Sequence, residues 1–268
     1  MNNAKKYKSY TLIKGSVPLL ISMPHNGESI PDDIAKTMRK TALSVPDTDW
    51  YIDRLYDFAE SLGAYIIKPT YSRYVIDLNR NKTDENLYPG ANSTELCPSS
   101  AFDLTPLYLD NNQLNKSEIN RRINLYWQPY HKALKATLAD IRKQFGKVVL
   151  LEAHSILSHV PRFFNGQLPD FNFGNADGSS CSEELMKTVD KLEFSPYSKS
   201  INGRFKGGFI TRKYGDPQNN IHALQLELSQ RTYLHEPTNK YYKEEADKVK
   251  IKLESLVKTL ITYSKTAE

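Results

Sequence analysis

Cysteine is scarce in this chain. Cys97 and Cys181 are the only two in 268 residues, so there is no disulfide framework and no Cys-x-x-Cys pair for a metal or a redox couple. Such a chain suits a reducing compartment. No apolar run approaches the ~20 residues that a membrane-spanning helix needs. The opening MNNAKKYKSY lacks the apolar core of a secretory signal, so the expectation is a cytoplasmic protein. Repeats, low-complexity tracts and Pro/Gly/Ser linkers are also missing, which predicts a single domain over 1–268. Blocks of like charge are absent too: 36 Lys and Arg stand against 31 Asp and Glu, and the lysines are scattered. A net charge of +5 spread this way argues against a nucleic-acid footprint, and its small positive excess suits a small anionic substrate.

What is present alternates between strand and helix patterns. VPLLISM (17–23), AYIIKP (64–69), YVIDL (74–78), KVVLLEAHS (147–155) and HALQLEL (222–228) read as strands. DTDWYIDRLYDFAESLG (47–63) reads as a helix because Tyr51, Leu55, Phe58 and Leu62 fall at helical spacing before Gly63. Helices are also expected over 117–145, starting at Ser117 and kinked by Pro129, in EELMKTVDKL, and over 240–263. The polar stretches 79–110 and 156–180 read as long loops, and loops of that length in a compact domain are usually functional. The alternation predicts an α/β fold built on a layered sheet.

Histidine is rare, with six in the chain, and one of them sits in the stretch ISMPHNGESI. There His25 and Glu28 directly follow the first buried strand. His154 ends KVVLLEAHS, and Glu227 lies near the end of HALQLEL. In open α/β sheets, sites form beyond the carboxyl ends of the strands, where all four residues are expected. Two imidazoles and a carboxylate suit a catalytic zinc, which takes three protein ligands and lowers the pKa of a water to about 7. A further carboxylate would then take the water's proton, a role open to Glu227. A structural reading fits the same residues: a polar turn at His25, a hydrogen-bonded rim at His154, and Glu227 paired with Arg231.

At these positions the sequence resembles the N-formylglutamate amidohydrolase family. The resemblance spans residues 17–235 and rests on PHNG, DTDWYIDRLY, SRYVIDLNR, NLYPG, PYHKAL, HSILSHVPRFFNGQLPDFNFGNADGSSC and GGFITRKYGDPQNNIHALQLELSQRTY. It implies a three-layer α/β/α fold with a mixed central sheet, similar to zinc carboxypeptidases. It implies one zinc ion held by His25, Glu28 and His154, with Glu227 as general base. It further implies hydrolysis of N-formyl-L-glutamate to glutamate and formate, as in histidine degradation. The alternatives are another N-acyl amino acid or peptide C-terminus as substrate, or a non-catalytic carboxylate-binding protein. Glu152 stands where the family pattern suggests an aspartate ahead of the histidine.

A substrate with two carboxylates calls for arginines, whose planar fork pairs bidentately with a carboxylate. Asn79 and Arg80 resemble the pair that grips the terminal carboxylate in zinc carboxypeptidases, with Asp77 placed to orient Arg80 or Arg73. Arg73, Arg162, Arg204, Arg212 and Tyr214 are the further candidates for binding substrate.

Overall fold

The computed structural model describes residues 8–85, 92–110, 112 and 114–266; the NLYPG motif lies outside them. Nine strands are present among these residues: β1 (Tyr10–Ile13), β2 (Leu19–Ser22), β3 (Tyr65–Pro69), β4 (Val148–Ile156), β5 (Phe171–Gly174), β6 (Lys199–Ile201), β7 (Ile221–Ser229), β8 (Leu234–His235) and β9 (Lys240–Tyr241). Seven of them form one mixed sheet in the order β1-β3-β2-β4-β7-β5-β6. The central β3, β2, β4 and β7 run parallel, while β1 and β5 are antiparallel to their inner neighbours. The short β8 and β9 make a separate pair.

The helices are α1 (Asp32–Ala35), α2 (Ile52–Leu55), α3 (Lys116–Arg122), α4 (Gln128–Phe145), α5 (Glu183–Asp190), α6 (Phe209–Tyr214) and α7 (Lys243–Lys265). On one face of the sheet, α2, α5 and α7 cover Leu19, Ile21, Val149, Leu151, Leu224 and Leu226. The other face, with Leu20, Val148, Leu150 and Ala223, is covered by α4 together with Phe209 and Ile210 of α6. The order of layers is therefore helix, mixed sheet, helix, as expected. α7 shows how sequence produces a layer. Ala246, Val249, Leu253, Leu256, Val257 and Leu260 recur three or four residues apart and are fully buried, each Val or Leu side chain worth roughly 1.5–3 kcal/mol.

Several local expectations differ from the structure. The helix expected over 47–63 is two short pieces, α2 and a 3-10 turn at Asp57–Ala59, preceded by a turn in which Tyr51 adopts φ 58°. YVIDL is turns rather than strand, because the Asp77 side chain accepts from the Asn79 backbone N–H and folds the chain on itself. The expected loop 156–180 contains β5, and β1, β6 and α6 were not anticipated. The helix expected from Ser117 begins at Lys116, capped by Asn115, whose side chain accepts from the Glu118 N–H at 3.0 Å. Its irregularity ahead of Pro129 is a π-turn over Ile123–Trp127.

The two sheet faces are apolar for different lengths. On the α4 side, β4 runs Val148, Leu150 and then Glu152, His154, while β7 runs Ala223 and then Gln225, Glu227. On the α7 side, Val149, Leu151 and Ala153 of β4 and Leu224, Leu226 and Leu228 of β7 stay apolar, and the uncharged Ser155 follows them near the end of β4. Core therefore gives way to carboxylates and imidazole at the carboxyl ends of β4 and β7, on the α4 side. That is where the cavity lies.

Candidate functional site

Three segments meet in this cavity. His25 follows β2, where the chain leaves the sheet. Asp49 lies in the turn before α2, and its N–H donates to the His25 carbonyl at 3.1 Å, tying the two loops together. His154 projects from β4, directly opposite Glu227 in the register with β7.

The imidazoles are arranged alike. Nε2 of His25 bonds Asp77 Oδ1 at 2.7 Å, and Nε2 of His154 bonds Glu152 Oε1 at 2.8 Å. Both rings therefore turn Nδ1 toward one atom, Asp49 Oδ2, which lies 3.9 Å from His25 and 2.9 Å from His154. The ring centroids are 4.7 Å apart. One ligand atom from each of His25, Asp49 and His154 falls within 4.8 Å of the others. Carboxylates that hold the outer nitrogen of each histidine fix its tautomer and raise its basicity, as metal sites require.

The charge balance points the same way. Asp49, Asp77, Glu152 and Glu227 are only 2%, 1%, 0% and 7% exposed. Arg73 offsets this in part, its guanidinium donating to Asp77 Oδ2 at 2.6 Å. Burying several carboxylates against one arginine is costly unless a further cation joins them. Without that cation, protons take its place. Burial opposes charge on His154, but the hydrogen bonds it donates to Asp49 and Glu152 outweigh that and hold the imidazolium well above its ordinary pKa. Burial likewise opposes ionisation of Asp77, yet His25 and Arg73 keep its carboxyl well below the usual range. At Glu227, burial reinforced by Asp49 and Glu152 pushes the carboxyl up to about 8. No hydrogen bond or ion pair holds the Glu227 carboxylate among the described residues. Arg231, the partner considered from sequence, pairs instead with Asp170 at 2.6 Å.

Glu28 stands outside this group. It is exposed, whereas Asp49 is buried beside both histidines. The local cause is the path of the chain after His25. Gly27 packs so closely on the Tyr71 carbonyl that a Cβ would lie 2.3 Å from it, and Ser29 bridges to Tyr71. The backbone is thereby led along the segment after β3 and carries Glu28 to the surface. Sequence reading missed Asp49 because DTDW resembles the capped start of a helix.

The cavity holds about 120 Å³ and is lined by Arg73, Arg80, Arg204, Asn79, Phe102 and Phe205, among others, besides the polar cluster. Asn79 Nδ2 lies 3.1 Å from His154 Nε2, and Asn79 Oδ1 accepts from the Ile210 N–H at 2.8 Å. Gly208 packs against this amide, and a Cβ there would lie 2.2 Å from Asn79 Nδ2 and displace it. The one hydrogen bond of the Arg80 guanidinium among the described residues is to Thr94 Oγ1, at 3.4 Å. Arg204 donates from Nε to the Phe163 carbonyl. The remaining candidates do not line the cavity: Arg162 donates to Ser100 Oγ and the Ala101 carbonyl, Arg212 to the Gly207 carbonyl, and Tyr214 bonds His131.

Comparisons with known proteins give the family. The model of the N-formylglutamate amidohydrolase family matches residues 17–234. An N-formylglutamate deformylase of Pseudomonas putida is 45% identical over 253 residues, covering 93% of this chain and 94% of its own. Its counterpart in Pseudomonas aeruginosa is 42% identical over 255 residues, covering 94% and 96%. The crystal structure of N-formylglutamate amidohydrolase from Ralstonia eutropha superposes with a TM-score of 0.83 at 27% identity, over 96% of this chain and 98% of that one. Matching sequence over almost its whole length and matching fold, the chain belongs to the N-formylglutamate amidohydrolase family.

Proposed function

We propose that this protein is a zinc-dependent N-formyl-L-glutamate deformylase that releases glutamate and formate, as the last step of a histidine-degradation route in the cytoplasm. The observation that carries the reading is the pair of imidazoles, each locked at Nε2 by a carboxylate and presenting Nδ1 to Asp49. His25, Asp49 and His154 would hold the metal. Two neutral nitrogens and one carboxylate oxygen suit zinc and leave the ion a net positive charge. When bound, zinc supplies Lewis acidity that polarises a carbonyl and acidifies water.

The chain's own groups perform the remaining work. Glu227, whose carboxylate has no partner among the described residues and which lies opposite His154, accepts the proton of the water that adds to the formyl carbon. It then delivers that proton to the amide nitrogen as the C–N bond breaks, so formate and the amine of glutamate leave. A carboxyl raised by burial holds and releases a proton near neutral pH more readily than an exposed one. Asn79 and Arg80 receive one substrate carboxylate, and Arg204, which also lines the cavity, suits the other. Phe102 and Phe205 exclude water from the reacting carbonyl.

Metal analysis of protein purified without chelator, run beside formate release from a panel of N-acyl amino acids, tests the proposal. About one zinc per chain and fastest turnover of N-formylglutamate are expected. Faster release from a larger acyl group or a different amino acid would reassign the substrate, and a protein that neither holds metal nor releases formate would refute the reading.

A further inference from the structure

The segment bearing Arg73, Asp77, Asn79 and Arg80 has no regular structure of its own to hold it. Residues 72–80 are turns, and their carbonyls need partners from elsewhere. Three of these carbonyls are taken by side chains of a single helical run. Arg122 Nη1 donates to the Val75 carbonyl at 3.0 Å, Trp127 Nε1 to the Arg80 carbonyl at 2.9 Å, and His131 Nε2 bonds the Leu78 carbonyl at 2.9 Å.

The spacing of these donors is unusual for a helix. Residues 122 and 127 are five apart, and in a regular α-helix five residues do not share a face; three and four do. Between them lies the π-turn Ile123–Trp127, in which the Gln128 N–H bonds the Ile123 carbonyl five residues back. An i→i+5 turn brings residues five apart onto one side. From Trp127 to His131 the spacing returns to four, and the two rings stack at 3.7 Å. Pro129 favours the irregularity because it has no N–H to close an α-turn.

Tyr214 completes the arrangement. Its hydroxyl lies 2.9 Å from His131 Nδ1, and donation there leaves Nε2 to carry the hydrogen bonded to Leu78. Burial keeps this ring neutral by pushing its pKa down to about 4. Tyr214 thus acts through His131, away from the cavity.

Resting on the function proposed above, we infer that the π-turn is a substrate-positioning device: it aligns Arg122, Trp127 and His131 to fix the 75–80 backbone and so aim Arg80 at a substrate carboxylate. Trp127, His131 and Tyr214 are positioning residues and touch neither substrate nor metal.

The test is Trp127→Phe, which keeps the stacked ring and removes the Nε1 donor. Loss of one neutral hydrogen bond should raise KM for N-formylglutamate about fivefold, with kcat and zinc content held within about twofold. The same change made on Arg80→Ala should add less than about a twofold effect, because the two residues act in one chain of contacts. Tyr214→Phe should shift KM in the same direction by a smaller factor, also with metal retained. If Trp127→Phe leaves KM unchanged in an active enzyme, or keeps its full effect on the Arg80→Ala background, the inference is overturned. A wild-type enzyme that fails to hydrolyse N-formylglutamate refutes the functional proposal and this one with it; the variants separate the two only when the wild type is active.

Discussion

Replacing Glu227 by glutamine separates chemistry from stability, because the structure predicts opposite effects on the two. The substitution keeps size and shape but cannot accept a proton. As the proposed base, Glu227 contributes about 10²–10⁴ in turnover, and that factor should be lost while zinc stays bound. Stability of the metal-free protein should move the other way. The carboxyl is raised from 4.5 when unfolded to about 8 when folded. Between those values the folded state holds a proton that the unfolded state has released, so the wild type loses stability as pH rises through this window. At 1.36 kcal/mol per unit, the loss reaches at most about 5 kcal/mol above the folded value and vanishes below the unfolded one. Zinc-stripped Glu227→Gln should therefore match the wild type under acid conditions and exceed it at about pH 9 in urea unfolding. Formate release per folded molecule supplies the other half. A variant that turns over normally, or one less stable than the wild type in alkali without metal, would refute the reasoning, since the second result would mean the ionised carboxylate has a favourable partner.

Further outcomes follow from the same geometry. Arg80→Ala removes a charge-assisted contact to substrate worth ~1.5–3 kcal/mol, so KM should rise about ten- to a hundredfold with zinc content unchanged; kinetics identical to wild type would remove Arg80 from the binding site. Asp77→Asn weakens the acceptor that orients His25, and zinc affinity measured against a competing chelator should fall about 10–100-fold. His154 is held protonated by Asp49 and Glu152, so zinc must displace a proton there. Calorimetric titrations in buffers of different ionisation enthalpy should show proton release that grows as pH falls, with weaker binding in acid. Leu256→Ala, on the buried face of α7 and outside the cavity lining, should cost about 2–5 kcal/mol of unfolding free energy and leave kcat intact per folded molecule.

The layers and much of the site are legible from local pattern. β4 and β7 are long apolar runs interrupted at Glu152, His154 and Glu227, and a buried charge in such a run signals either a partner or a function. His25 was visible because histidine is rare in the chain and this one directly follows a buried strand. Asp49 was hidden because the apolar spacing of Tyr51, Leu55, Phe58 and Leu62 outweighed the turn chemistry ahead of it; in the structure, tertiary bonds from Gln230 to the Thr48 carbonyl and from Tyr233 to the Trp50 carbonyl hold that turn open. Glu28 followed from the His-x-x-Glu spacing shared with zinc carboxypeptidases, and only the packing of Gly27 on Tyr71 and the exposure of Glu28 set it apart from the buried cluster. The hold of the α3–α4 run on the 75–80 backbone depends on contacts 47 and 53 residues apart, beyond what periodicity can reveal.

Metal content of four single variants tests the central claim most directly: His25→Ala, Asp49→Ala, His154→Ala and Glu28→Ala, each purified without chelator and checked for folding before zinc is counted. The cluster of His25, Asp49 and His154 predicts that the first three lose both metal and formate release, while Glu28→Ala retains about one zinc per chain. An Asp49→Ala protein with a full complement of zinc, or a Glu28→Ala protein without it, would contradict that ligand set.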